Sequence, residues 1–407
     1  MPAMPSPSEL DFEQDPSPFA AHWTLDPRVD YLNHGSFGAC PRAVLEAQGE
    51  LRARLERQPT DFLVRDLPSA LARSRETLGA FVGADPDDLA FVSNATSAVN
   101  AVLRSLDLRP GDELLVSDHA YGACRKALEY VAARAGAGVV TVPLPFPLRS
   151  ADELIEPFLR AVTPRTRLAL VDHVSSPTGL VFPVERLVPA LREIGVDALV
   201  DGAHALGMLP LDLDRLGAAW YTANAHKWLC APKGSAFLHV RRDRRPGLHP
   251  LVISHGYDPA GRFREEWDWT GTGDPTPWLV IPECVQHLGA LLPGGWPALM
   301  ARNHALALRC RDVLLEALGG SVPAPDALLG SLASVPLPPA RPGAPAEGLS
   351  PEALVEWFRA RGVETWLCAW PGPDARLIRV SAQLYNTLPQ FRRLARLLRE
   401  ALGLERG

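Results

Sequence analysis

The stretch TRLALVDHVSSPTGLVFPVERLVPALREIGVDALVDGAH, residues 166–204, decides the fold class. An apolar run, TRLALVDHV, is followed by VERLVPALREIG, whose apolar residues recur at helical spacing, and then by a second short apolar run, DALVDGAH. Such runs suit strands buried on both faces, and a helix between two of them is the crossover that builds a parallel sheet. Toward the N-terminus the same beat recurs. ADELIEPFLRAV reads as helix, GVVTVPL as strand, ACRKALEYVAARAG as helix, DELLVSD as strand, ATSAVNAVLRSL as helix and DLAFVS as strand. Helices at RAVLEAQGELRARLER and LARSRETLGAFVG precede them. The expectation is an α/β fold with a mostly parallel central sheet flanked by helices.

After GSAFLHV the rhythm changes. One helix is expected from Pro277 to about Leu292 and another over WPALMARNHALALRCRDVLLEALG. SLASVPLP, GVETWLC and RLIRVS then read as strands, with helices at PEALVEWFRARG and PQFRRLARLLREALG, which makes a smaller α+β C-terminal domain. PPARPGAPAEGLSP is a surface spacer, and GRFREEWDW is expected to form a substrate-facing loop. The expected division is a loose N-terminal arm over 1–22, a large domain over 23–290 and a small domain over 291–407, the opening residues being able to pack on the small domain.

The 407 residues are 47% hydrophobic and 22% charged, as in ordinary globular proteins, and carry a net charge of −6 without a basic tract. Nucleic acid and membrane are therefore not expected as partners. Six cysteines without CxxC spacing argue against a zinc knuckle or a disulfide framework. MPAMPSPSELDFEQDPSPFA has no basic region followed by an apolar run, so no signal peptide is expected. No apolar stretch reaches the ~20 residues that span a bilayer. A cytoplasmic protein with reduced thiols is the expectation.

Ligands of open parallel sheets bind beyond the carboxyl ends of the strands, and the polar residues there carry the functional signal. LLVSDHAY ends in Asp118, His119 and Tyr121; LALVDHVSS in Asp172, His173, Ser175 and Ser176. DALVDGAH ends in Asp201 and His204, and WYTANAHK in Asn224, His226 and Lys227. The chain has three lysines, Lys126, Lys227 and Lys233, against 38 arginines, and Lys, unlike Arg, can lose its proton and act as a nucleophile. Singly, each residue has a plainer reading as a turn, cap or core residue. At four successive strand ends they exceed what solubility requires.

Three chemistries compete for this set. A nicotinamide enzyme needs a GxGxxG turn after a strand, and none is present. A metal-dependent hydrolase could draw on His119, Asp172, His173, Asp201 and His204, but no HExxH spacing occurs and the Lys ammonium would repel the metal. A Schiff-base enzyme would hold an aldehyde cofactor on Lys227, pair Asp201 with a pyridinium nitrogen and stack a ring from His119 or Tyr121 on it. The strand-to-helix turn SNATSAVN, with Asn94, Thr96 and Ser97, would receive a phosphate at a helix N-terminus. This third reading accounts for the most residues.

YLNHGSFGACP, HVSSPTGLVFPV, LVDGAHALG, ANAHKWLCAPKGSAFLHV, SHGY, WTGTGDPTPWL and IRVSAQLYNT, in that order, resemble the class V aminotransferase family of fold-type I pyridoxal-phosphate enzymes. Within it the chain is similar to the isopenicillin N epimerase-like branch. The resemblance implies pyridoxal 5′-phosphate as cofactor, a small-molecule amino-acid substrate and a homodimer with the site at its interface. It implies that Lys227 carries the cofactor, Asp201 keeps the pyridine nitrogen protonated, His204 contacts the ring hydroxyl and His119, or else Tyr121, stacks on the ring. Ala95, Thr96, Asn224 and His226 would surround the phosphate, joined by Thr272 from the neighbouring subunit. Arg379 would grip the substrate carboxylate, and Asn33 and His34 would lie near the substrate.

Two departures bear on the reaction. Ser176 stands where cysteine desulfurases have an Asn beside the ring, and the motif around their nucleophilic Cys is missing near Cys368. Epimerase or aminotransferase chemistry at Cα–H is the expectation, with His34, Tyr121 and Tyr257 as candidates for a second proton donor. C–S lyase or desulfurase-like chemistry is the alternative. A fold that has lost catalysis is a further one, against which Lys227, Asp201 and Arg379 together argue.

Overall fold

The structure, a computed structural model, describes residues 11–258, 262–372 and 375–404. Residues 1–10 of the expected arm, and Gly261 of GRFREEWDW, lie outside the described residues. Seven strands form the central sheet: β2 (Leu89–Val92), β3 (Glu113–Ser117), β4 (Gly138–Val142), β5 (Thr166–Asp172), β6 (Asp197–Asp201), β7 (Trp220–Asn224) and β8 (Ala236–Val240). Their order is β2-β8-β7-β6-β5-β3-β4. All neighbours from β7 to β4 run parallel, and only β8 is antiparallel to its two neighbours. Alternate residues feed opposite faces. Ala169 and Val171 of β5 join one apolar cluster, and Leu168 and Leu170 join the cluster beneath the other layer of helices.

A smaller C-terminal unit follows the long helix Gly295–Leu318. Its antiparallel sheet has the order β11 (Trp366–Ala369), β12 (Arg376–Ser381), β9 (Leu332–Leu337). The helix Leu388–Leu402 is closed at its start by a capping box between Thr387 and Gln390. A two-residue strand, β1 (Asp30–Tyr31), pairs in parallel with β10 (Val363–Glu364), which ties the N-terminal segment to this unit. Residues 11–22, expected to be loose, are held there as well. The Phe12 carbonyl accepts the Leu388 N–H at 2.9 Å, and Ser17 Oγ donates to the Leu384 carbonyl at 2.6 Å.

Two expectations are corrected. The helix expected from Pro277 is split into Thr276–Leu279 and Ile281–Ala290. Pro282 has no N–H to give the Trp278 carbonyl, which takes the Ser74 hydroxyl instead at 2.9 Å. The stretch GRFREEWDW is not wholly a loop. Its described part contains a helix, Phe263–Asp268, whose Phe263 and Trp267, four residues apart and so on one helical face, are buried in the core.

Candidate active site

A cavity of about 450 Å³ opens at the carboxyl ends of β5, β6 and β7. The turn after β7 places Lys227 in its wall. That turn is fixed from several sides. The N–H groups of Ala225 and His226 both donate to the Ser235 carbonyl, at 2.9 and 3.1 Å, and the Lys227 carbonyl accepts from Cys230 N–H at 3.0 Å. Gly38 lies so close that an added Cβ would stand 2.4 Å from the Lys227 carbonyl oxygen. Gly38→Ala is therefore expected to cost about 1–3 kcal/mol of stability through overpacking. Thermal melting of the variant checks this, and an unchanged midpoint would show that the two turns are not locked together.

Burial first, and then the charge of Arg379, lower the Lys227 ammonium to a pKa of about 8, against an opposing pull from Asp201. His204 Nε2 lies 3.2 Å from Nζ, while its Nδ1 accepts the Trp228 indole N–H at 3.4 Å. Since indole only donates, the proton of the neutral ring sits on Nε2 and points at the amine. Desolvation, reinforced by Lys227, keeps that ring neutral.

Asp201 also lines this cavity. Its Oδ1 accepts the Ala203 N–H at 3.0 Å and its Oδ2 the Cys124 thiol at 3.2 Å. Asp172 is its register partner on β5 and lines the same cavity. Burial, and then the charge of Asp201, push the Asp172 carboxyl well above the usual range. Its Oδ2 has no hydrogen-bond partner among the described residues.

At the opposite wall the helix Ala95–Arg104 begins, capped by Asn94 Oδ1, which accepts the Ser97 N–H at 2.8 Å. Asn224 Oδ1 takes the Ala95 N–H at 2.9 Å. Thr96, Ser97 and His226 complete a polar pocket at the positive end of the helix, a place suited to a phosphate. Burial lowers the His226 ring to a pKa of about 4, and the single proton of the neutral ring sits on Nδ1, which donates to the Ser235 carbonyl at 2.9 Å.

A second cavity, of about 520 Å³, shares Ser36, Phe37, Tyr121, Ser176 and Lys227 with the first. Arg379, on β12, lines it. Nη1 donates to the Ser176 carbonyl at 2.8 Å and Nη2 to Ser36 Oγ at 2.8 Å, and the guanidinium lies over the Trp366 ring at 4.3 Å. Among the described residues its Nε is buried without a partner, as is Asn33 Oδ1 in the same cavity wall. Orphaned polar groups here fit a carboxylate and an ammonium supplied from outside.

Of the residues singled out in the sequence, Ala95, Thr96, Asp201, His204, Asn224, His226 and Lys227 come together in the first cavity, and Asn33 and Arg379 in the second. Three do not. The His119 ring is fully buried behind the wall, bonded to Thr178 and the Leu144 carbonyl and edge-on to Trp370; of the two stacking candidates it is Tyr121 that lines both cavities. His34 is also fully buried. Its Nε2–H donates to the Lys227 carbonyl at 3.0 Å and its Nδ1 accepts from Tyr385, so it braces the lysine turn. Thr272 is exposed and outside both cavities. Sequence reasoning missed Ser36, Phe37, Trp366 and Trp370; HGSFG, with Ser-Phe between two glycines, was the available sign of a tight turn. The hydrolase ligands are not gathered either. Among the described residues the one metal-capable group is Asp88, Asp214 and His239, where Arg242 and Arg245 already pair with Asp88.

A family model for class-V aminotransferases matches residues 40–273. The isopenicillin N epimerase of Streptomyces clavuligerus is 38% identical over 91% of this chain and 94% of its own length. A probable chloroplastic L-cysteine desulfhydrase of Arabidopsis thaliana is 32% identical over 97% of this chain and 86% of its own. A solved structure of a C-DES mutant, with glycine covalently linked to the PLP cofactor, superposes with a TM-score of 0.75 at 22% identity over 91% of this chain and 96% of that one.

Proposed function

Because the chain belongs to the class-V aminotransferase family, we propose that it is a pyridoxal-phosphate enzyme that removes the Cα proton of an amino acid, as an epimerase or aminotransferase does. The observation that carries this is Lys227 in the wall of two adjoining cavities, with Asp201 in the first and Arg379 in the second. The residues fit the cofactor. The start of the helix Ala95–Arg104, with Asn224 and His226, would hold its phosphate, Asp201 its pyridine nitrogen, the His204 N–H its ring hydroxyl and Tyr121 its face. Bound there, pyridoxal phosphate supplies an electron sink for the pair left at Cα.

The chain's own groups do the rest. Arg379 holds the substrate carboxylate, with Nε and one terminal nitrogen as donors. Lys227, at a pKa of about 8, reaches its neutral form near neutral pH and can take the proton. For inversion a second donor must stand opposite. Of the three candidates, His34 faces away and burial lowers it to a pKa of about 3; Tyr257 lines neither cavity; Tyr121 lines both. Thr272 is exposed, as are Leu251, Val252 and Ile253, which fits a homodimer in which Thr272 reaches the partner's site.

A C–S lyase is the second reading, favoured by the desulfhydrase relative, since loss of sulfide from Cβ begins with the same proton removal. Desulfurase chemistry is not favoured. Cys368 lines the second cavity, but burial raises its thiol to a pKa of about 11, and the nucleophile would have to be the thiolate. Cys368→Ala is accordingly expected to keep turnover within about threefold of the parent; a loss near a hundredfold would restore the persulfide route. The reading as a whole is tested by loading the protein with the cofactor and screening L- and D-amino acids. Absorbance is followed, and keto acid, ammonia, sulfide and inverted substrate are assayed separately. If no amino acid alters the visible spectrum, the proposal fails.

A further inference from the structure

Among the described residues, one carboxylate of the second cavity has no Lys or Arg as ion-pair partner. Asp118 follows β3 and lines that cavity. One of its oxygens accepts the Leu144 N–H at 3.0 Å, and among the described residues no Lys or Arg forms an ion pair with it. The nearest basic group, His119 Nε2 at 3.9 Å, is held neutral by burial and is already bonded to the Leu144 carbonyl. Beside it stands Trp370, whose indole N–H reaches the Asp118 carbonyl at 3.5 Å, with its ring braced edge-on by His119 and Phe146. A carboxylate next to an indole in a partly desolvated cavity is the arrangement that receives a cation. The positive charges in the same cavity, Arg379 and Lys227, leave Asp118 as its cation-accepting group.

We propose that the substrate is an α-amino acid with a long side chain ending in a cation, which Asp118 and Trp370 receive while Arg379 holds the α-carboxylate. The inference rests on the proposed amino-acid chemistry and narrows it. Cysteine, whose side chain ends one atom beyond Cβ, would leave most of the roughly 520 Å³ empty and Asp118 unpaired.

Two probes separate charge from size. S-(2-aminoethyl)-L-cysteine and S-propyl-L-cysteine differ in an ammonium in place of a methyl. With the cofactor-loaded protein, the concentration that half-saturates the absorbance change is expected to be about tenfold lower for the aminoethyl compound. In Asp118→Asn, which keeps an oxygen for the Leu144 N–H, that preference is expected to fall to about twofold or less. S-(carboxymethyl)-L-cysteine, tested on the parent protein alone, should rank last, so the proposal can still be overturned if the variant does not fold. Equal or tighter binding of the propyl compound, or a preference that survives Asp118→Asn, overturns the proposal. A loaded protein whose spectrum responds to none of the three sinks the amino-acid reading as well, whereas a response indifferent to charge sinks only the role of Asp118.

Discussion

Lys227→Ala is expected to lower turnover by about 10⁴-fold or more and to leave the cofactor no longer fixed to the chain by borohydride reduction. The apoprotein should move the other way. Lys227 titrates near 8 in the fold, against an ordinary value of 10.5, so its charged form is favoured by the unfolded chain. The penalty is fully present below pH 8, fades as pH rises to about 10.5, and amounts to about 3 kcal/mol. Lost packing of the side chain's stem offsets part of it. The variant is therefore expected to melt higher than the parent at pH 7, with the difference shrinking by pH 10. A variant that melts lower at pH 7 would mean that the amine is well solvated, and the basis for its reactivity would fall.

Arg379→Lys should cost about 10²–10³-fold in kcat/KM, mostly through KM, because a point charge replaces a fork that meets a carboxylate through two bonds. The environment sharpens the effect. Ser176 and Ser36 hold two guanidinium nitrogens and Trp366 covers its face, so the fork is oriented before substrate arrives. An ammonium has three donors, but they diverge from one nitrogen and cannot meet a carboxylate with two parallel N–H bonds. Steady-state kinetics on whichever amino acid responds in the spectral screen checks this. A loss confined to kcat would place the carboxylate elsewhere.

Sequence made some parts of this site legible and hid others, for geometric reasons. Asp201, Asn224 and Lys227 sit at or just past the ends of strands whose apolar runs are unmistakable, so their side of the sheet could be inferred. His119 and Tyr121 lie beyond β3, where pairing has ended and the alternation that assigns a residue to a face no longer applies. Two residues of turn decided which ring reaches the cavity. The helix Phe263–Asp268 was hidden in a similar way: six residues are too few to display periodicity against a polar-aromatic background. The partners of Arg379 were out of reach because Ser36 and Ser176 become its neighbours only through the docking of the C-terminal sheet.

That docking sets an order on the making of the molecule. The cofactor end of the site is spelled by residues between Ala95 and Lys227, a span that can close on itself once β8 is made. The substrate end joins the two extremities of the chain: Ser36 meets Arg379 across a separation of 343 residues and His34 meets Tyr385 across 351. On the ribosome, the bonds of His34 to Tyr385 and of Ser36 to Arg379 must wait until almost the whole protein has emerged. Contacts so distant carry a high loop-closure entropy and form late. A nascent or C-terminally clipped chain would thus have a place for a reactive cofactor before it has the means to choose what that cofactor meets. Selectivity is the last thing this polypeptide acquires.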